Sequence, residues 1–515
     1  MGWIKSGERE ISSQELQNRA RKAAGVIASY GLTAGDGIAL YMRNDIPYFE
    51  ASFGASLLGV YPVPVNWHYT PDEAAYLFED SGAKLLIIHA DLYPGIKDAI
   101  PADLATIIVE PSAEIIRDYG LAATPPPHDL PVWSDLLERA PPFDGPPREV
   151  PVAVIYTSGT TGRPKGVVLS DLDSDQVAAL NFMFGWAYGF SEALEGKRNP
   201  ATLTTAVIGP VYHSAPSAHA TCALRLGINV VIEPKFDAER LLQMIERERI
   251  THLNLVPIMF NRLLRLPDEI KRRYDLSSLE YVAHAAAPCP APVKRAMIDW
   301  WGPIIWEYYG STEMGNVTHL SSEEWLSHPG SVGRVMPLAT LRVIDEHGKD
   351  MPVGEIGEVA GKGGHGSGFT YKNAPQKRAE MEKFGLITPG DVGYFDEDGF
   401  LYLCDRKNDM IISGGANIYP AEIEAVLHKM PDVADCAVFG IPDEEFGESV
   451  MAVVQLMPGA EMEAEVLRAR LREVLAGYKV PRRIEFLAEL PREDSGKIFK
   501  RKLRAPFWEG RERQI

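Results

Sequence analysis

Cysteine is scarce in this chain: the four present, Cys222, Cys289, Cys404 and Cys436, lie far apart among 515 residues. No pair has the close spacing of a zinc ligand set and no framework of bridges can be drawn, so a disulfide scaffold and a zinc ribbon are excluded. A reducing, cytoplasmic setting is expected. Positive charge is also short. Lys and Arg number 52 against 71 Asp and Glu, a formal net charge of -19, which excludes the broad basic face that nucleic acid or an anionic membrane needs in a main partner. Any polyanionic ligand must then be met by local positive features. Long apolar runs are missing as well, so no integral membrane segment is expected, and the opening Gly2-Trp-Ile-Lys-Ser leads straight into helix-type sequence with no export leader expected. Internal repeats and low-complexity tracts are absent.

What the chain does have is length and apolar content. At 515 residues and 45% hydrophobic it is too long for one ordinary core and rich enough to build two or more. Ser12 followed by Glu15 reads as a capping box, with Leu16, Ala20, Ala23 and Ile27 at helical spacing until Tyr30-Gly31. Residues 37–42, 60–65 and 84–88 read as strands with helical segments between them, and such alternation implies parallel sheets covered by helices. The proline-rich stretch 124–147 is expected to be a surface connector. A charged amphipathic helix over 237–249 leads into a buried strand over 251–256. Beyond a boundary near 405–409, a helix from Pro420, strands at 437–439 and 450–456 and a helix over 463–476 make a small α+β domain.

The stretch Tyr156-Thr-Ser-Gly-Thr-Thr-Gly-Arg-Pro-Lys-Gly166 sits between two short apolar runs and reads as a phosphate cradle. Gly159, Gly162 and Gly166 permit backbone conformations that turn N–H groups toward one anion; Thr157, Ser158, Thr160 and Thr161 add hydroxyl donors and Lys165 adds charge. It is not the Walker loop, because Pro164 precedes Lys165 and Gly166 follows it. A second glycine motif is dismissed. Gly361-Lys-Gly-Gly-His-Gly366 spells G-x-G-x-x-G, but Phe369-Thr-Tyr-Lys-Asn-Ala-Pro375 after it reads as turn and not as an amphipathic helix, so the match is a loop and not a dinucleotide site.

Three further segments join the cradle: Tyr308-Tyr-Gly-Ser-Thr-Glu-Met-Gly315; Gly390-Asp-Val-Gly-Tyr-Phe395 running on to Asp405-Arg-Lys-Asn-Asp-Met-Ile-Ile-Ser-Gly-Gly-Ala-Asn-Ile-Tyr-Pro-Ala-Glu-Ile-Glu424; and Pro491-Arg-Glu-Asp-Ser-Gly-Lys-Ile498. In order, spacing and residue type, over essentially the whole chain, they resemble the adenylate-forming superfamily of acyl-CoA synthetases, peptide-synthetase adenylation domains and luciferases. The resemblance implies an α/β fold. A large N-terminal AMP- and acyl-binding domain, residues 1–405, would have two β-sheets packed with helices plus a small β-barrel-like subdomain. A small mobile α+β domain, residues 406–515, would turn between two catalytic poses about Asn408, where Asp or Lys is more usual in the family. The implied activity joins a carboxylic acid to ATP, releasing pyrophosphate, and passes the acyl group to coenzyme A; a carrier protein or an amine is the alternative acceptor. ATP, Mg2+ and coenzyme A are the implied cofactors, with a homodimer as one oligomeric option.

The same resemblance distributes roles. Thr157, Ser158, Gly159, Thr160, Thr161, Gly162 and Lys165 would hold the leaving phosphates, Thr312 the α-phosphate and Glu313 the magnesium ion. Tyr309, with Gly310 and Ser311 beside it, would stack on adenine; Asp391 would accept both ribose hydroxyls, supported by Arg406. Lys497 would bridge the attacking carboxylate and the phosphate. Ser413, Gly414 and Gly415 would let pantetheine pass close to backbone, while Lys479, Arg482 and Arg483 either meet coenzyme A phosphates or form a solvated face. The acid pocket implied, around His213, Val256, Ala285, Ala286 and Gly315, is mostly apolar. Tyr212-His213 offers no aspartate for a substrate ammonium, which counts against an α-amino acid. Ala285 stands where many relatives have glycine, and Asp171-Leu172 replaces the usual His-Arg or His-Asn. A fatty, alicyclic or aromatic carboxylic acid is the expected substrate.

Overall fold

The computed structural model describes residues 2–122, 125–146, 148, 154–157, 164–169, 174–364, 368–406, 409–414, 416–492 and 497–509. Buried apolar runs set its two helix-covered sheets. Ala83–His89, with Leu85 to Ile88 at 0% exposure, lies inside a four-stranded parallel sheet between Gly37–Tyr41 and Ala105–Val109, with Tyr61–Pro64 at the edge. Continuous apolar strands of this kind are what a sheet covered on both faces requires. The second sheet has nine strands. Ile305–Ser311, Tyr281–His284, His252–Leu255, Thr204–Val207, Asn229–Ile232 and Trp3–Ser6 run parallel in that order, with antiparallel strands closing both edges.

Helices start where the sequence supplies caps. Ser12 accepts from the Glu15 N–H at 3.1 Å to open Ser13–Ser29, but Glu15 turns to Arg19 at 2.9 Å instead of reaching back, so the expected box is only half made. The helix Ala238–Glu248 buries Leu241, Leu242, Met244 and Ile245 and leads into His252–Leu255, as its periodicity predicts. Two expectations need correction. The proline-rich 124–147 stretch is no plain connector: Trp133–Arg139 is a helix whose Trp133 is 2% exposed and donates from Nε1 to buried Glu50 at 3.0 Å. Trp133 and Leu137, four apart, give one apolar helical face that the surrounding prolines obscured. Likewise Phe369–Tyr371 is a strand, paired on Lys165–Leu169, followed by the helix Pro375–Met381. Phe369 and Tyr371 alternate into a core around Val167, a period of two too short to stand out.

A six-stranded antiparallel sheet over residues 340–406 takes the place of the barrel-like subdomain, and a five-stranded sheet built on the long pair Val433–Asp443 and Gly447–Leu456 forms the core of the C-terminal domain. The fold is thus the expected one: a large N-terminal α/β domain followed by a small α+β domain.

Candidate active site

Four adjacent parallel strands of the large sheet end side by side at Ser311, His284, Leu255 and Val207. The segments leaving them carry Thr312 and Glu313, Ala285 and Ala286, Val256, and His213. Ligands of open α/β sheets gather outside such carboxyl ends, so topology alone brings the sequence-assigned positions to one edge.

The connection from Ile305–Ser311 to Gly315–Leu320 is tight because its glycines allow it. A Cβ on Gly310 would lie 2.2 Å from the Gly315 carbonyl oxygen, and Gly315 has φ +79°. Ser311 Oγ accepts the Met314 N–H at 3.0 Å, and Thr312 Oγ1 donates to Ser214 Oγ at 3.4 Å, at the start of the helix Ser214–Leu226. Glu313, half-buried, lies in this turn. Its Oε1 accepts the Tyr371 hydroxyl at 2.8 Å, and the Lys165 ammonium lies 5.3 Å from the centre of the Tyr371 ring. Burial and then the Glu313 carboxylate hold the Tyr371 hydroxyl well above its usual range, so it remains a donor. Tyr371 escaped the sequence reading; the alternation of Phe369 and Tyr371 was the only signal for it.

Lys165 opens the strand Lys165–Leu169, in register with Thr157 of Ile155–Thr157. Burial, and next the nearby Lys377, lower the Lys165 pKa, with Glu313 and Glu380 opposing. Ser158, Gly159, Thr160, Thr161 and Gly162 fall outside the described residues, as do Asn408 and Gly415. Gly166 does a different job from the one expected. It sits within the hairpin strand, where a Cβ would come 2.9 Å from the Tyr156 ring, and Tyr156 in turn donates to Asp80 at 2.8 Å. Its lack of a side chain seats that ring.

Asp391 and Arg406 face each other across antiparallel strands, Arg406 Nε 3.4 Å from Asp391 Oδ1, while the Tyr309 hydroxyl donates to Asp391 Oδ2 at 2.5 Å. Burial and then Asp391 raise the Tyr309 hydroxyl far above its usual range. On the C-terminal domain, Gly414 caps the hairpin of Ile411–Ser413 and Ala416–Ile418 with φ +57°, its N–H donating to the Phe446 carbonyl at 2.9 Å. Lys497 is half-buried beside the Arg492–Ile498 bridge.

The pocket segments are held from below. Asn44 donates to the Gly209 carbonyl at 2.9 Å and accepts from the Val211 N–H at 2.9 Å, and the Tyr48 hydroxyl donates to the Val211 carbonyl at 3.0 Å, which fixes the turn before His213. Neither residue was singled out by sequence. Val256 flanks the helix Pro257–Leu264; Ala285 is buried, and Ala286 takes φ +73°, a conformation that costs a residue with a side chain about 1–2 kcal/mol.

Among the described residues no three His, Cys, Asp or Glu side chains gather as a metal cluster. A single carboxylate, Glu313, suits magnesium, which is commonly held by one or two carboxylates plus substrate phosphates.

Comparisons with known proteins give the family. Residues 3–367 match the model of the AMP-binding enzyme family and residues 422–497 that of the AMP-binding enzyme C-terminal domain. The fatty acid–[acyl-carrier-protein] ligase ScoC of Streptomyces coeruleorubidus is 31% identical, with 98% of this chain and 93% of the relative covered. The indoleacetate–CoA ligase of Aromatoleum aromaticum is 32% identical over 96% and 93%. ATP-bound MatB from Rhodopseudomonas palustris superposes with a TM-score of 0.84 at 28% identity, over 98% of this chain and 96% of that one. With family models matched across both domains and relatives above 30% identity along nearly its full length, the chain belongs to the AMP-binding enzymes of the adenylate-forming ligase superfamily.

Proposed function

We propose that the protein is an acyl-CoA synthetase that activates a hydrophobic carboxylic acid. The carboxylate oxygen attacks the α-phosphorus of ATP and pyrophosphate departs; the thiol of coenzyme A then attacks the acyl carbonyl and AMP departs. The observation that carries this reading is the pairing of two constellations through the Tyr309–Glu313 segment, where three sheets meet: Asp391 with Arg406 and Tyr309, suited to a ribose diol, and Glu313 with Tyr371 and Lys165, suited to phosphates. Displacement at phosphorus gains mainly from positioning and charge neutralisation. In this reading Lys165 and the 158–162 loop hold the departing phosphates, Thr312 the α-phosphate, and Glu313, oriented by Tyr371, the magnesium ion, which when bound would offset phosphate charge. Lys497 bridges carboxylate and phosphate, and Ser413, Gly414 and Gly415 admit pantetheine.

The relatives named for fatty and indoleacetic acids support an apolar acid. None of the segments around His213, Val256, Ala285 and Ala286 brings an acidic side chain, so a substrate ammonium there would lack a partner, at a cost of roughly several kcal/mol. Across a panel of fatty, alicyclic and aromatic acids, kcat/KM should rise by about 0.8 kcal/mol per buried methylene until the pocket fills. A free amino acid turning over better than every apolar acid would overturn this. Transfer to a carrier protein is the second reading, favoured by the name of ScoC. Acyl product found only on a carrier or an amine, with none on coenzyme A, would select it or its amine counterpart.

In this reading the two domains meet at residues 405–406. Asp405, at the end of the strand Leu401–Arg406, accepts the Ala421 N–H at 2.9 Å from the first turn of the helix Pro420–Leu427, a bond between the two sides of that boundary. Burial, with Glu424 adding and Lys500 opposing, pushes the Asp405 carboxyl from 3.8 up to about 6. A folded value above the unfolded one means that the folded state keeps the extra proton. The stability this group adds is complete below the unfolded value and is lost as pH rises through about 6. Asp405→Asn is therefore expected to flatten the pH dependence of urea unfolding between pH 4 and 6; an unchanged slope would count against the assignment.

A further inference from the structure

Beside the Lys165–Tyr371–Glu313 constellation lies a cleft of about 580 Å3 whose lining includes Lys165, Lys372, Lys377, Asp80 and Glu380. It is bounded by the helix Pro71–Ser81 on one side and the turn into Pro375–Met381 on the other. The wall is built, not incidental. Tyr76 donates to the Pro164 carbonyl at 3.3 Å, next to Lys165, and Asn373, at φ +57°, donates from Nδ2 to the Asp80 carbonyl at 2.8 Å and to its Oδ1 at 3.3 Å. The Lys372 ammonium bonds the Tyr61 hydroxyl and lies over that ring, 4.5 Å from its centre.

The charges do not cancel inside the cleft. Lys165, Lys372 and Lys377 each lack an ion pair among the described residues, and Asp80 already accepts from Tyr156 and Asn373. Glu380 is exposed and also unpaired among the described residues. Three ammonium groups, one of them the lysine of the phosphate loop, outnumber the two carboxylates of Asp80 and Glu380 and leave the cleft net positive, which favours an anion. A mobile surface lysine would not need Tyr61 to hold it over the cleft.

We infer that this cleft is a second polyphosphate site, which takes up the pyrophosphate leaving group after acyl-adenylate formation, with Lys372 and Lys377 as its anion-binding residues. The inference rests on the adenylation reading and adds a destination for its first product. A neutral side chain at Lys377 removes charge from an exposed position, so folding is unaffected; Lys372→Gln also loses the Tyr61 contact and serves as the second variant. Titration calorimetry of the full chain with magnesium pyrophosphate, ATP and coenzyme A separates the possible sources of phosphate. Lys377→Gln and Lys372→Gln are each expected to weaken pyrophosphate about fivefold, more at low salt than at high, and Lys377→Arg to bind as the parent does. Pyrophosphate affinity indifferent to both lysines in a chain that does form acyl-adenylate overturns the cleft alone, as does a change confined to ATP or coenzyme A. A parent chain that activates no acid overturns the adenylation reading and the cleft together.

Discussion

Lys497→Ala is expected to lower acyl-adenylate formation by about a thousandfold while thioester formation from supplied acyl-adenylate stays within about threefold of the parent. One ammonium between an attacking carboxylate and a phosphate offsets repulsion between two anions, and that repulsion exists only in the first half-reaction. Once the adenylate has formed, the electrophile is neutral at the carbonyl and the lysine has no anion pair to bridge. Lys497 stands half-buried next to the Arg492–Ile498 bridge. Stopped-flow detection of pyrophosphate, alongside thioester assay from synthetic acyl-adenylate, measures the two halves separately. Equal loss in both would remove Lys497 from the bridging role.

Glu313→Gln should cost about 100- to 1,000-fold in the same half-reaction and raise the magnesium concentration needed for half-maximal rate. An amide keeps the shape and can still accept from Tyr371, but it carries no charge for the cation. Tyr371→Phe is the companion variant. It leaves the charge and frees Glu313 from the 2.8 Å bond that orients it, so a smaller loss of about tenfold is expected. Should Tyr371→Phe cost as much as Glu313→Gln, the hydroxyl would be acting on substrate directly instead of through the carboxylate.

How much of this was legible in the sequence depended on the range of the interactions involved. Strands such as Ala83–His89 announced themselves because a doubly covered parallel strand must be apolar throughout. Glu313, Asp391 and Lys165 could be singled out because they stand in motifs that resemble those of the family. Tyr371 could not: it reaches Glu313 across 58 positions, through a strand of three residues that pairs onto Lys165–Leu169. Asn44 and Tyr48 support the turn before His213 from more than 160 residues away, which no local period records. The helix Trp133–Arg139 hid among prolines that mark its surroundings and not its interior. Gly166 carried a true signal with the wrong cause, since the sequence shows that a side chain is missing there but not that Tyr156 fills the space.

The acid's own oxygen provides the most direct test of the central claim. With an apolar acid labelled with 18O in its carboxylate, ATP and coenzyme A, the attacking oxygen becomes the bridge to phosphorus and stays with AMP when the thiol displaces it. The account predicts AMP carrying one 18O per acyl-CoA formed, with unlabelled pyrophosphate released. Label in inorganic phosphate with ADP as the nucleotide product, or unlabelled AMP, would contradict it.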